Sequence, residues 1–335
     1  MRPVNYSNLL LLAVLFILSG CQAGSKAETQ TESSGIASYQ GTASVSQGGA
    51  NVLVANIYDC DRGRKAPLGT ATAADGSTWT VPAEVNFDND EFPFASDLYN
   101  PCTGVEFSNA QEALSALDGA DIVEIEPDGE LVTAYVFADN YFEMYINGIA
   151  AGKDNVPFTQ FNSNLVRFRV NRPFTVAVKC VDWEENSGLG TEANRGNSHH
   201  PGDGGFVAVF KSADGGTVAV TDENWKAQIF YTAPIADLSC PAEQGALRLS
   251  ENCSSAGAED YALHWEVPAN WYSADFDDSG WPAASTYTND VIGVDNKPSY
   301  TNFTDIFDDQ ASDASFIWSA NVVLDNEVIV RYTVE

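Results

Sequence analysis

The most chemically varied stretch of the sequence runs from Trp183 to Asp203. It places Glu184, Glu185, Asn186, Asn194, Arg195, Asn197, His199, His200 and Asp203 in one connection, with two of the chain's three histidines among them. An indole plane beside amides and carboxylates suits a sugar, whose C–H faces stack on the ring while its hydroxyls take hydrogen bonds. Loops on a rigid scaffold are where such groups collect, so these ten residues form the candidate ligand-binding set. The plainer reading is a solvated polar loop. His199 and His200 are adjacent and point opposite ways on an extended backbone, and His264 is distant in sequence, so the histidines make a poor zinc or copper set. Two oxygen-rich clusters suggest structural calcium instead: Asp275, Asp277 and Asp278 beside Gly280, and Asp88, Asn89 and Asp90. Neither has the spacing of the EF-hand loop, and Asp277 or Asp278 capping a turn with Trp281 in the core is the plainer role. The nucleophile-elbow, H-E-x-x-H and phosphate-loop patterns are absent, and no catalytic residue is assigned.

The start of the chain bears on where this chemistry operates. Arg2 precedes an apolar run from Leu9 to Leu18, too short for a bilayer core of about 30 Å, and small residues follow it. That order is a secretory signal. Leu18-Ser19-Gly20-Cys21 resembles the lipobox of bacterial lipoproteins, which implies cleavage before Cys21 and acylation of its sulfur. Gln22 in place of Asp points, by that family's sorting rule, to the outer membrane. The lipid anchor on Cys21 is the only membrane contact expected, since no later stretch is long and apolar enough to span. Against 16 basic residues stand 47 acidic ones, a formal charge of −31 over 335 residues, and such a surface repels nucleic acid.

An exported chain meets an oxidising compartment, and five cysteines follow Cys21. Cys240 and Cys253 lie close in a loop-like stretch, Cys60 with Cys102 would brace the amino-terminal part, and Cys180 is left as a buried thiol on a strand. No spacing among them reads as a zinc or haem motif.

Residues 1–20 read as the signal peptide and residues 21–49, rich in Ser, Thr, Gly, Ala and Gln, as a flexible tether. Residues 50–335 read as an all-β, antiparallel β-sandwich. In it, 50–120 is loop-rich with one short helix, capped at Ser108 and stopped at Gly119, and 131–335 is the core. Leu131–Phe137, Tyr141–Ile146, Leu165–Val170, Phe174–Trp183, Phe206–Phe210 and Thr217–Val220 are β-rich runs between turn residues. Asn147-Gly148 supplies a left-handed hairpin turn. Phe316–Val323 and Glu327–Val334 are expected to form a last pair about Asp325-Asn326.

Four segments carry a family resemblance: Ala138–Gly148, Asp214–Lys226, Phe276-Asp277-Asp278-Ser279-Gly280-Trp281 and Phe316-Ile317-Trp318. Their order is similar to that of the galactose-binding-like jelly rolls attached to bacterial glycosidases. The resemblance implies a jelly-roll fold that binds sugars or packs beside a partner, and it transfers no binding residue. The expectation is thus a non-catalytic surface lipoprotein that binds a carbohydrate, such as a glycan or surface polymer, or another extracellular ligand through a loop of the sandwich. A metal-dependent or glycan-acting hydrolase and an assembly component of the cell surface are the alternatives.

Overall fold

Side-chain alternation sets which way each strand faces. Val166, Phe168 and Val170 of Ser163–Val170 point into the same cluster as Phe142, Met144 and Ile146 of Tyr141–Ile146 and Val176, Val178 and Cys180 of Phe174–Val181. The computed structural model describes residues 41–116, 122–193, 196–255, 257 and 259–335. Its fold is all-β: two sheets pack as a sandwich over that cluster, and nearly every pairing is antiparallel. Each large apolar side chain buried there contributes about 1.5–3 kcal/mol.

The seven-stranded sheet runs, edge to edge, through Ser44–Gln47, Tyr261–His264, Lys226–Thr232, Asp325–Val334, Phe174–Val181, Tyr141–Ile146 and Ile149–Lys153. The nine-stranded sheet has Glu130–Asp139 at its centre, between Ser163–Val170 and Gly205–Ser212. Asn147 and Gly148, at φ 49° and 83°, make the expected hairpin turn between Tyr141–Ile146 and Ile149–Lys153. Ile122–Glu124 pairs in parallel with Ser163–Val170, the exception to the antiparallel rule among the named strands.

Both outer faces are covered, so alternation in the central strands is hydrophobic on both sides. Over the nine-stranded sheet, Tyr300, Phe303 and Phe307 come from two helical turns, Pro298–Thr301 and Thr304–Phe307. They pack on Tyr135, Phe137, Val207 and Val209. Over the seven-stranded sheet, Phe92, Trp265, Trp271 and Leu324 pack on Tyr145, Ala177 and Ile329. A separate three-stranded sheet, Asn51–Val54, Leu68–Thr72 and Thr78–Val81, forms part of the amino-terminal region.

Several details depart from expectation. The helix Ala110–Ala116 is capped by Asn109, which accepts from Glu112 N at 2.9 Å while Glu112 reaches back to Ser108 N at 2.9 Å. The cap is therefore one residue later than Ser108, and Gly119 lies outside the described residues. The helix is not alone, since Asn289–Ile292, Pro298–Thr301 and Thr304–Phe307 form three short helical turns. Ser44–Gln47, expected in the tether, pairs with Tyr261–His264, and the fold begins before residue 50. Its short polar side chains hid an edge strand held by backbone hydrogen bonds. Residues 21–40 of the expected tether lie outside the described residues. Finally, Phe316–Trp318 and Asp325–Val334 do not pair with each other. Phe316–Trp318 joins the nine-stranded sheet and Asp325–Val334 the seven-stranded one, so the chain crosses between layers from Ser319 to Leu324.

Candidate functional site

Register brings a row of polar side chains onto the outer face of the seven-stranded sheet. Lys153 lies opposite Glu143, and Glu143 opposite Lys179. On the next strand Glu327 meets Lys179 at 3.1 Å; Glu327 in turn lies opposite Tyr231, and Tyr231 opposite His264. Six strands thus contribute one polar group each, in an order the sequence does not follow.

Part of this row holds the chain that covers it. Lys153 Nζ donates to the carbonyls of Asn86, Phe87 and Asn89 at 2.8, 2.7 and 2.9 Å. Glu143 accepts from Asn86 N, from Asn86 Nδ2 at 2.9 Å and from Tyr141 Oη at 3.0 Å. Lys179 Nζ donates to Glu84 O at 2.6 Å. The segment from Glu84 to Asn89 is fixed over the sheet by these contacts and becomes a wall.

The rest of the row is a floor. Lys179, Glu327, Tyr231 and His264 lie under a groove of about 760 Å³, walled by Ser77–Thr80 and Glu84–Asn86 and by the turn from Trp265 to Trp271. His264 is clamped between Trp79, stacked at 5.3 Å, and Tyr231 at 4.8 Å, and its Nε2 is 2.7 Å from Ser46 Oγ. Burial pushes His264 down to about 4, so the ring is neutral at pH 7. Trp79 is only half-buried, and Nε1 donates to Ser77 Oγ at 2.8 Å.

The opposite wall is set by Arg331. This buried arginine pairs with Asp278 at 2.8 Å and donates to the carbonyls of Trp271 and of Ser273, the latter at 3.1 Å. It thereby holds Trp271 edge-on against Tyr145 at 5.2 Å. Burial raises the Glu327 carboxyl, while Glu327 and Glu143 outweigh burial at Lys179 and raise it too; the two groups sit 3.1 Å apart as a buried ion pair. Glu84 and Glu266 line the groove exposed. The groove therefore offers an indole, hydrogen-bond acceptors and a neutralised ion pair, a combination that fits a polyhydroxylated ligand better than an anion.

The residues expected to bind a ligand, where described, do not line this groove, and several of them are engaged in other contacts. Trp183 is 0% exposed: it packs edge-on against Tyr141 at 5.7 Å and donates Nε1–H to Pro67 O at 3.0 Å. It presents no face to a sugar, because Tyr58 and Ala66 of the amino-terminal region, with Phe158 of the connection between Ile149–Lys153 and Ser163–Val170, cover that end of the sandwich. Glu184 is buried. Glu185 binds Arg64 at 2.9 Å, and Glu192 binds the same guanidinium. Asn186 bonds Thr191 Oγ1 at 2.9 Å inside the loop, and with exposed His199 it lines a smaller cleft of about 280 Å³. His200 stands 3.9 Å from Glu192, Asn197 is exposed, and Asp203 is half-buried. Asn194 and Arg195, like Cys21, lie outside the described residues.

Both expected disulfides are formed, Cys60–Cys102 and Cys240–Cys253, and Cys180 is a buried free thiol. Of the suggested calcium clusters, Asp277 Oδ1 accepts from Ser279 N at 3.0 Å within its turn and Asp278 is engaged by Arg331. Asp88 and Asp90 are exposed, and between them Asn89 accepts Glu91 N at 3.0 Å. Among the described residues, no three of His, Cys, Asp and Glu converge at metal-ligand spacing, and no helix is long and apolar enough to cross a membrane.

The groove was missed in the sequence because its floor comes from four strands that are not consecutive. Trp79, Trp265 and Trp271 with neighbouring acids were the one available signal. No protein-family model, curated protein or solved structure matches the chain.

Proposed function

We propose that this chain is an exported lipoprotein, acylated on Cys21, that binds a neutral or amine-bearing carbohydrate in the groove between Trp79 and Trp271. The observation that carries the reading is the groove itself, an aromatic and acceptor-rich cleft of about 760 Å³ floored by the Lys179–Glu327 ion pair. It replaces the Trp183 loop as the binding surface. The galactose-binding-like resemblance and the signal-like start agree with it. Screening the purified full chain in detergent against immobilised glycans tests the reading. Retention of a glycan, weakened about tenfold or more by Trp79→Ala and by Glu266→Gln, is expected, a loss of about 1.4 kcal/mol or more per change. No retained glycan, or retention indifferent to both substitutions, refutes it. Incorporation of labelled palmitate that disappears in Cys21→Ala tests the anchor.

A second reading follows from one feature of the same groove. Glu327 is buried with its carboxyl raised, while Glu84 and Glu266 are exposed. Carboxyls in contrasting environments are one element of glycoside cleavage, in which one acts as acid and the other as base or nucleophile. Appearance of new reducing ends from a retained glycan, abolished by Glu327→Gln, would favour a hydrolase over a binding protein.

A further inference from the structure

At one end of the sandwich, strand ends from both sheets collect carboxylates that the groove does not use. Asp139 ends Glu130–Asp139, Asp182 and Glu184 follow Phe174–Val181, Asp203 precedes Gly205–Ser212, and Asn326 lies at the start of Asp325–Val334. Asp182 and Glu184 are each 2% exposed. Both lie under Gly202, where an added Cβ would fall 1.8 Å from Glu184 Oε1 and 3.8 Å from Asp182 Oδ1. Gly202 thus leaves room for the backbone to lie directly over the Glu184 carboxylate.

The nearby cations pair with residues other than Asp182 and Glu184. Arg64 is bound by Glu185 and Glu192, and Lys297 Nζ stands 3.5 Å from Asp139 Oδ2 and over the Phe161 ring at 3.7 Å. Asp182 Oδ2 and Glu184 Oε2 are left buried with no hydrogen-bond donor. The same holds for Oδ1 of fully buried Asn326, whose Nδ2 donates to Asp182 O at 2.6 Å. Burying an ionised carboxylate with one oxygen lacking any donor is costly, and a native fold answers it with a proton or a metal ion. The orphaned atoms are all oxygens, two anionic and one an amide. Hard divalent cations take such a set, completed by carbonyls and water, whereas zinc and copper favour nitrogen and sulfur.

We propose that the strand ends around Asp182, Glu184 and Asn326 hold one calcium ion, with Asp139 and Asp203 supplying further negative charge. The site differs from the Asp275–Asp278 and Asp88–Asp90 clusters, whose carboxylates are exposed or already engaged. With two carboxylate ligands it belongs with the weaker extracellular sites, at a Kd of about 10⁻⁴–10⁻³ M. Closing the loop onto Glu184 and Asp182 would then couple cation binding to the order of the connection that carries His199 and His200.

Equilibrium dialysis of the purified full chain against CaCl₂ after EDTA treatment tests it, with thermal melts in CaCl₂, MgCl₂ and EDTA. One calcium per chain is expected. At about 100 times its Kd, calcium should raise the melting temperature by about 5–10 °C. Binding should be lost in Asp182→Asn and Glu184→Gln and kept in Asp88→Asn and Asp277→Asn. Calcium-dependent shifts of the backbone amides of 182–184, 202 and 326 would locate the ion on the unmodified chain if those variants fail to fold. Absence of stoichiometric calcium on the wild-type chain overturns the proposal, as does binding that survives both substitutions. A chain indifferent to calcium whose melting temperature climbs as the pH falls would overturn it too, because protons would then neutralise the cluster.

Discussion

Replacing Lys179 by Met probes the floor of the groove most directly. Lys179 is almost fully buried, pairs with Glu327 at 3.1 Å and donates to Glu84 O at 2.6 Å. Methionine keeps most of the volume, so the cavity contribution is small and the dominant effect is Glu327 left buried without its cation. Removing one partner of a buried pair costs about 3–5 kcal/mol. For a fold of this size that corresponds to a melting temperature lower by roughly 6–20 °C. The pH dependence follows from the raised Glu327 carboxyl. A carboxyl raised in the fold binds its proton more tightly there than in the unfolded chain, so its contribution is fully present in acid and is lost as the pH rises through the raised value. Without Lys179 the carboxyl moves higher still. The deficit of Lys179→Met relative to wild type should therefore be small in acid and grow as the pH rises through the raised Glu327 value to neutrality. Thermal and urea melts followed by circular dichroism across that range, with the double variant Lys179→Met/Glu327→Leu completing a cycle, give the measurement. The double variant should recover most of the loss. A single-variant cost below about 1 kcal/mol, or a deficit that does not change with pH, would refute the account of a buried, mutually neutralised pair.

Three further outcomes are expected. The His264 ring should titrate by NMR with a midpoint near 4. Since that value is depressed, its stabilising contribution is present above the ordinary histidine range and lost as the pH falls through about 4, and a midpoint near 6.5 would contradict the clamp by Trp79 and Tyr231. Opening Cys60–Cys102, at a sequence separation of 42, by a double Cys→Ser change should cost about 4 kcal/mol, against about 3 for Cys240–Cys253 at a separation of 13. Chemical denaturation should rank them in that order, and the reverse order would show that loop closure does not govern these bridges. Trp183→Ala should destabilise the fold by about 3–5 kcal/mol while the folded fraction keeps its glycan retention. A loss of retention with stability intact would return the binding site to the loop.

Much of the sandwich was legible because the hairpins obey local rules. Asn147-Gly148 takes the φ values a two-residue turn needs, and the Val166, Phe168 and Val170 alternation faces the core it predicts. Legibility fails where a property belongs to the assembled layers. Both outer faces are covered, so Phe174–Val181 is buried throughout and the sequence does not show that Lys179 faces outward while Cys180 faces inward. Trp183 could be read as an exposed platform for the same reason: its aromatic character is visible in sequence, and the Tyr58 and Phe158 layer that buries it is not. The groove floor escaped for a topological reason, since Asp325–Val334 inserts between Lys226–Thr232 and Phe174–Val181 and only that order brings Glu327 to Lys179. The missed edge strand Ser44–Gln47 is the converse case, a polar segment ordered by its partner Tyr261–His264 rather than by its own composition.

Cys180 sits between the two sheets with no sulfur partner, and burial holds its thiol well above the ordinary cysteine range. With the other four cysteines of the described residues closed in disulfides, it is the one thiol there that a maleimide or a disulfide reagent could capture. Capture requires the sheets to part, so the labelling rate at Cys180 is a clock for opening of the sandwich. A ligand gripped by the groove, or an ion at the strand ends, would slow that clock in proportion to its affinity for the closed state. The same atom that adds nothing to the chemistry of either site can thus report the occupancy of both.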